Sequence, residues 1–130
     1  MEKLNYNQQG SFCMKYEVRL GDSFKKAFKR LWKKYRALDD DLEELITQLE
    51  ENPEIGANLG NGIRKVRMSI SSKGKGKSHG ARVITHTVVV STRQGIVTLL
   101  SIYDKAEKNT ITKNEIHQLL QELNLSPSDL

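Results

Sequence analysis

The chain has 130 residues, of which 37% are hydrophobic, enough for one domain with a modest core. It carries 21 Lys and Arg residues against 16 Asp and Glu, a formal net charge of +5. No apolar run approaches the ~20 residues that cross a bilayer, and the N-terminus lacks the apolar core of a secretory signal, so we expect a cytoplasmic protein. Cys13 is the only cysteine, which excludes an internal disulfide and any zinc site built on several cysteines.

The positive charge is concentrated in residues 55–103, which hold eight Lys and Arg residues and no Asp or Glu. The rest of the chain has 13 basic residues against 16 acidic ones. A concentrated basic field attracts a polyanion, and RNA or DNA is the usual one. We also expect no nearby carboxylate to neutralise these cations. A solvated loop between Lys-rich strands is the alternative on charge alone.

Residues 1–13 are polar and aperiodic, which predicts a flexible leader. From Met14 to Leu20 apolar and polar residues alternate as in a strand, so the folded domain is predicted to begin there. Gly21-Asp22-Ser23 then supplies a turn and a helix N-cap. The helix that follows has apolar residues at helical spacing, for which core packing is a better interpretation than a platform for stacked bases: Phe24, Phe28, Leu31, Trp32 and Tyr35.

Lys and Arg cover the rest of this first helix, and they suit a phosphate backbone and a solvated face equally well. A second, strongly acidic helix is predicted from Asp40 to Asn52, where Pro53 ends it. The two helices are therefore predicted to form an antiparallel hairpin with one basic and one acidic arm. Their opposite charges are expected to pair across the surface.

A glycine-containing loop precedes three predicted strands, at 64–70, 81–90 and 96–103, of which the last two should pair antiparallel through a turn at 91–95. A capping box, Thr112-Lys113-Asn114-Glu115, begins the last helix. The predicted order is βααβββα, an α+β domain at residues 14–124 with a tail at 125–130. In it, an N-terminal strand and a helical hairpin pack on a small, mainly antiparallel sheet, followed by a C-terminal helix.

Several kinds of site are disfavoured by spacing. The run from Lys73 to Ser78 ends in Gly-Lys-Ser, but position 71 is Ser and a strand follows, so it is not a nucleotide-binding P-loop. Its lysines instead suit a hairpin loop that lies along a phosphate chain. The three histidines are scattered, and no nucleophile turn of a serine hydrolase is present, so we expect neither a metal nor a cofactor. His86 is predicted to be a packed or half-exposed residue of a strand and not a catalyst, and His79 is the freer candidate for proton transfer.

Basic residues and one tyrosine cluster near the ends of adjacent predicted strands: Lys65, Arg67, Arg82, Tyr103 and Lys105. Such a set can cleave RNA without a metal. The 2′-hydroxyl attacks the adjacent phosphate, cations stabilise the developing charge, and a lysine whose pKa is lowered by cationic neighbours can act as the base. A non-enzymatic RNA-binding module would show much the same charge pattern.

Three segments in this order, 63–67, 76–84 and 99–108, resemble the RelE/HigB-type toxins of bacterial toxin–antitoxin pairs, within the RelE/ParE superfamily. The likeness runs from about Phe24 to Leu123 and includes Glu-Asn-Pro-Glu at 51–54. It implies a small mRNA endoribonuclease that acts on the translating ribosome and is silenced by a cognate antitoxin. It also implies a helical hairpin on a small antiparallel sheet. Relatives usually have a second Gly where His79 stands, and two consequences stay open: the imidazole is an additional proton carrier, or it reshapes the loop and alters activity.

The resemblance implies roles for single residues. Arg82 matches the strand arginine that binds the scissile phosphate, while Lys65 and Arg67 match positions that support transition-state charge or proton transfer. Tyr103, Lys105 and Lys108 match a stretch that borders the active cleft. The RNA contacts expected beside them are Arg64, Lys73, Lys75, Lys77, His79 and Lys108.

The implied partners are mRNA on the ribosome and a cognate antitoxin, expected to be a small helix-turn-helix protein, and the complex of toxin and antitoxin is a candidate binder of operator DNA. No membrane partner is expected. Three alternatives stay open: a non-catalytic nucleic-acid-binding module, a gyrase-directed toxin of the same fold, and an inactive member of the family.

Overall fold

The computed structural model describes residues 15–74 and 79–122, which form three helices and five strands. In chain order these are β1 (Lys15–Leu20), α1 (Asp22–Lys34), α2 (Leu38–Glu51), β2 (Ala57–Gly60), β3 (Ile63–Met68), β4 (Ala81–Ser91), β5 (Gln94–Asp104) and α3 (Lys113–Glu122), with a 3-10 turn at Ser71–Lys73. The predicted α+β class is confirmed, with one strand more than expected. The predicted leader at 1–13, Met14 and the tail at 125–130 lie outside the described residues.

The strands form one sheet in the order β1-β5-β4-β3-β2. Only β1 and β5 run parallel; β5 with β4, β4 with β3 and β3 with β2 are antiparallel. The predicted hairpin of the last two strands is therefore confirmed, with a tighter turn at 92–93. The sheet is mainly antiparallel, as the alternating strand patterns predicted.

The strand missed in the sequence is β2. It lies in the segment predicted to be a loop, and all four of its residues are exposed. A tight turn folds β2 back onto β3, with positive φ at Gly60, Asn61 and Gly62. A short strand that is exposed on both faces shows no alternation of apolar and polar residues. Its Gly and Asn residues therefore predicted a loop.

Apolar side chains cover both faces of the sheet. The larger cluster joins α1 and α2 to the sheet through residues such as Phe24, Leu31 and Leu49, so the predicted core role of the α1 stripe is confirmed. The smaller cluster packs Ile63 and Tyr103 against partly buried side chains of α3 and the segment before it. Because side chains alternate along a strand, Lys65 and Arg67 project from the same face of β3 as Ile63.

The helix ends follow local chemistry. The N-cap of α1 is Gly21, within the predicted tripeptide, but no side chain caps the helix; the Ser23 hydroxyl instead donates to Glu122 of α3. At α3 the predicted capping box is confirmed, because the Thr112 and Glu115 side chains each accept the other residue's backbone N–H, at 3.2 and 3.1 Å.

The charges of α1 are not paired with those of α2. Arg30 and Lys34 lie 3.1 and 3.6 Å from the carboxylate of Glu107, in the segment after β5. Within residues 15–74 and 79–122 no ion pair joins the two helices, so the predicted charge pairing across the hairpin is wrong. No helix in this part of the chain is long and apolar enough to span a membrane.

Candidate active site

A cleft of about 840 Å³ lies where β3 extends beyond β2. Strand β2 pairs only with residues 63–65, so the second half of β3 has an open edge. Two groups of side chains line the cleft. The cationic lining comes from the sheet and the residue after it: Lys65, Arg67, Arg82 and Lys105. The α2 lining comes from the last turn of α2 and its C-cap: Gln48, Glu51 and Asn52.

Strand register brings the two arginines together. Arg67 on β3 is directly opposite Arg82 on β4, and Arg82 is directly opposite Tyr103 on β5. Residues directly opposite each other in antiparallel strands have Cβ atoms about 4.5–5.5 Å apart. The three side chains therefore form one row across the sheet, on the face away from the helical hairpin.

Arg82 is the buried member of this row, only 5% exposed. Its Nη1 donates to the carbonyl oxygen of Ala81 at 3.2 Å. Burial, followed by the charge of Arg67, lowers the pKa of the Arg82 guanidinium. A guanidinium nevertheless stays protonated in proteins, so an anion bound beside both arginines would relieve their repulsion.

Tyr103 adjoins Arg82 but does not line the cleft. Its ring is 5% exposed and packs with partly buried residues that include Ile116 and Leu119 of α3. Among the described residues its hydroxyl has no hydrogen-bond partner, and burial raises the pKa of the phenol. Lys108 lies 5.7 Å from the centre of the ring and also donates to Glu115, so α3 and its preceding segment cover this side of the row.

The other predicted RNA contacts do not gather at the cleft. Arg64 donates from Nη1 to the carbonyl oxygens of Glu54 and Gly56, at 2.8 and 3.4 Å. Lys73 has its Nζ 2.6 Å from Asp104 and 3.0 Å from the His79 carbonyl oxygen, and it is mostly buried. The His79 side chain is exposed. Lys75 and Lys77 lie outside the described residues.

His86 is packed within β4, as predicted. It is 3% exposed, and burial lowers the pKa of its imidazole. The ring therefore belongs to the interior of the sheet and not to the cleft.

The polar residues of the α2 lining were not identified from the sequence. Glu51 lies in the same cleft as the four cations, so the expectation that no carboxylate would be near them is wrong. Asn109, shortly after β5, also lines the cleft. The available signal was the Glu-Asn-Pro-Glu stretch at 51–54, which formed part of the family resemblance without a role.

A comparison with protein-family models places this geometry in a known group. The model described as the RelE toxin of the RelE/RelB toxin–antitoxin system matches residues 23–125. The matched segment contains every residue that lines the cleft and leaves out β1. It covers well over half of the 130 residues.

Proposed function

Because the chain belongs to the family of RelE toxins of toxin–antitoxin systems, we propose that it is an endoribonuclease that cleaves mRNA. The observation that carries the proposal is the cationic lining: four Lys and Arg residues from β3, β4 and the residue after β5 meet in one cleft. Arg82 is buried there beside a second arginine. Two guanidinium groups at directly opposed strand positions, one of them buried, suit a phosphate whose negative charge increases during the reaction.

In the proposed reaction, Arg67 and Arg82 hold the non-bridging oxygens of the scissile phosphate. The 2′-hydroxyl oxygen of the preceding nucleotide attacks phosphorus, and the bond from phosphorus to the 5′ oxygen breaks. The products are a 2′,3′-cyclic phosphate and a 5′-hydroxyl. Positive charges fixed before the reaction stabilise the phosphorane without a metal, because they need not reorganise as its charge develops.

Two proton transfers complete the balance: the 2′-hydroxyl loses a proton, and the departing 5′ oxygen gains one. We assign them to Lys65 and Lys105, the two lysines of the cationic lining. Tyr103 acts through Arg82 as a positioning residue, because its ring is directly across the strand pair and is covered by α3.

We infer the substrate and the partners from membership of the RelE toxin family. We propose that the RNA is a message on the translating ribosome and that a cognate antitoxin inhibits the toxin. A segment of the antitoxin with acidic or apolar side chains would fit over the cationic lining. The complex of toxin and antitoxin is the proposed form that binds operator DNA.

The test compares Arg82→Ala with Arg93→Ala in a translating extract, with cut sites mapped by primer extension. Both variants remove one arginine, but Arg93 lies in the β4–β5 turn and does not line the cleft. We expect Arg82→Ala to lower the cleavage rate by about 100- to 1,000-fold, as for the loss of a group that stabilises transition-state charge. Arg93→Ala should cleave like the unaltered protein.

Arg82→Lys serves as a folding control, because it keeps a buried positive charge while losing the two-pronged guanidinium. Circular dichroism should show all three variants folded. Cleavage by Arg82→Ala at the unaltered rate would refute the assignment. Intact messages with salt-sensitive nucleic-acid binding would identify a binding module, and DNA damage with messages spared would identify a gyrase-directed toxin.

A further inference from the structure

The α2 lining differs in chemistry from the cationic lining of the same cleft. It consists of two amides and one carboxylate: Gln48, Asn52 and Glu51. Glu51 and Asn52 are exposed, and Gln48 is half-buried. The Asn52 side-chain oxygen accepts the Glu54 backbone N–H at 3.1 Å, so the group that this side chain can offer to a ligand is its amide nitrogen, a donor. Such groups hydrogen-bond the edges of bases, whereas a carboxylate repels phosphate.

The end of α2 strengthens this contrast. The Asn52 N–H closes the last turn on the Gln48 carbonyl oxygen at 2.8 Å, and the next residue, Pro53, has no N–H for the Leu49 carbonyl. Glu50 and Glu51 stand in this last turn, which contains no basic residue. The negative end of a helix dipole and two carboxylates there favour hydrogen-bond donors over anions.

The two linings therefore impose an orientation on RNA. Phosphate is favoured at the cationic lining and disfavoured at the α2 lining, so a bound nucleotide would turn its base toward α2. The volume of about 840 Å³ lies within the range of roughly 300–1,000 Å³ that is typical of small-molecule sites. Proteins read single-stranded RNA through the Watson–Crick edges of such unstacked bases.

We propose that the α2 lining selects the base beside the scissile phosphate, with Glu51 accepting hydrogen bonds from an amino-bearing base edge and guanine preferred over uracil. This inference rests on the proposed RNA cleavage. Guanine offers two adjacent donors, N1–H and the N2 amino group, to the two carboxylate oxygens. Adenine and cytosine each offer one amino group on this edge. Uracil has no amino group: its single donor, N3–H, lies between two carbonyl oxygens, which the carboxylate repels.

The test uses four single-stranded RNA oligonucleotides that differ only in the base on the 3′ side of the cleavage site. A 2′-deoxy substitution at the cleaved position makes them uncleavable, so binding is measured directly by fluorescence anisotropy. We expect guanine RNA to bind about 10-fold more tightly than uracil RNA, within the range for one bidentate base contact. Glu51→Gln should reduce this ratio to about twofold or less, because one acceptor becomes a donor.

Glu50→Gln is the matched control: it removes the neighbouring carboxylate of α2, which does not line the cleft, and should keep the full ratio. A guanine-to-uracil ratio of one in the unaltered protein, with message cleavage intact, overturns this inference alone. Failure to bind any of the four RNAs, together with uncut messages, overturns the proposed function as well.

A proton-transfer role for Glu51 is the remaining way for the base-reading proposal to fail. In that case Glu51→Gln would slow cleavage of all four ribose-containing RNAs by the same factor and remove the acidic limb of the pH–rate profile. The binding ratio of the uncleavable RNAs would be unchanged. That combination of results overturns base reading.

Discussion

Asp104, at the end of β5, is fully buried and ties three parts of the chain together. Its carboxylate accepts hydrogen bonds from Lys73 at 2.6 Å, Tyr35 at 2.8 Å and the Ala106 N–H at 3.0 Å. Asp104 is also the register partner of Ala81, the residue before Arg82. The Lys73–Asp104 pair thus joins the segment before β4 to the end of β5, next to the start of β4 where Arg82 lies, and the charge of Lys73 is used within the fold.

Asp104→Asn should destabilise the protein by about 3 kcal/mol at pH 7, because it leaves the Lys73 ammonium mostly buried without its counter-charge. Burial by itself would raise the pKa of Asp104, but the hydrogen bonds from Lys73 and Tyr35 lower it below the ordinary value. The ionised carboxylate therefore stabilises the fold above about pH 4, and this stabilisation is lost as the pH falls through the lower, folded-state pKa.

Urea unfolding at a series of pH values tests this linkage. The difference in unfolding free energy between the unaltered protein and Asp104→Asn should be constant near neutrality and shrink in acid. Glu43→Gln, an exposed change within α2, should alter stability by no more than about 0.5 kcal/mol. A stability difference that is equal at acid and neutral pH would contradict the role of the ionised carboxylate.

For single residues, the sequence indicates which side chains lie at the cleft better than it indicates which side chains contact each other. Alternation along β3 and the ends of β4 and β5 indicated Lys65, Arg67, Arg82 and Lys105, and all four line the cleft. It did not reveal that Asp104, 31 residues later in the chain, would take up the charge of Lys73. Nor did it bring Glu51 to the cleft, because that depends on how α2 packs against the sheet.

The β2–β3 turn is a small element that determines where the cleft begins. It places β2 against residues 63–65 and so determines where the open edge of β3 begins. Gly60 and Gly62 both have positive φ, at 92° and 77°. Their surroundings differ: a Cβ on Gly62 would lie 2.7 Å from the Thr87 carbonyl oxygen, whereas one on Gly60 would meet nothing within 4 Å.

Alanine at these two glycines separates backbone strain from steric contact. Gly60→Ala should cost about 1 kcal/mol, the expense of a positive φ for an L residue. Gly62→Ala adds the clash with Thr87 on β4 and should cost at least about 1 kcal/mol more. Chemical denaturation measures both, and the cleavage rate should fall only for Gly62→Ala, because β3 must shift. Equal losses of stability would show that the contact with Thr87 relaxes freely.

Elements with an apolar periodicity were predictable, and the others were not. Helix α1 and the core of β4 and β5 followed from repeated apolar positions, and α2 began only two residues before its predicted start. No pattern in the sequence indicated β2, whose four residues are all exposed. The parallel pairing of β1 with β5 was also hidden, because alternation shows that a strand has two faces but not which neighbour it joins.

At the scale of the whole molecule, two groups of cations among the described residues can be compared. One is the cationic lining of the cleft, and the other is the exposed face of α1, where Arg30 and Lys34 are paired with Glu107. Net charge alone treats these locations as equal. If RNA binds in the cleft, its affinity should depend on the first set of charges and hardly on the second, since interactions across more than about 10 Å are screened at ordinary salt.

Lys105→Gln and Lys29→Gln test this distinction, since each removes one exposed lysine and changes the net charge equally. For single-stranded RNA, each phosphate contact contributes about −0.7 to the slope of log affinity against log salt concentration. Four contacts in the cleft predict a slope of about −3, and Lys105→Gln should bring it to about −2. Lys29→Gln should leave the slope unchanged. Titrating an uncleavable RNA between about 50 and 200 mM salt measures both values. Equal changes in slope for the two variants would mean that RNA responds to the charge of the whole protein and is not held in the cleft.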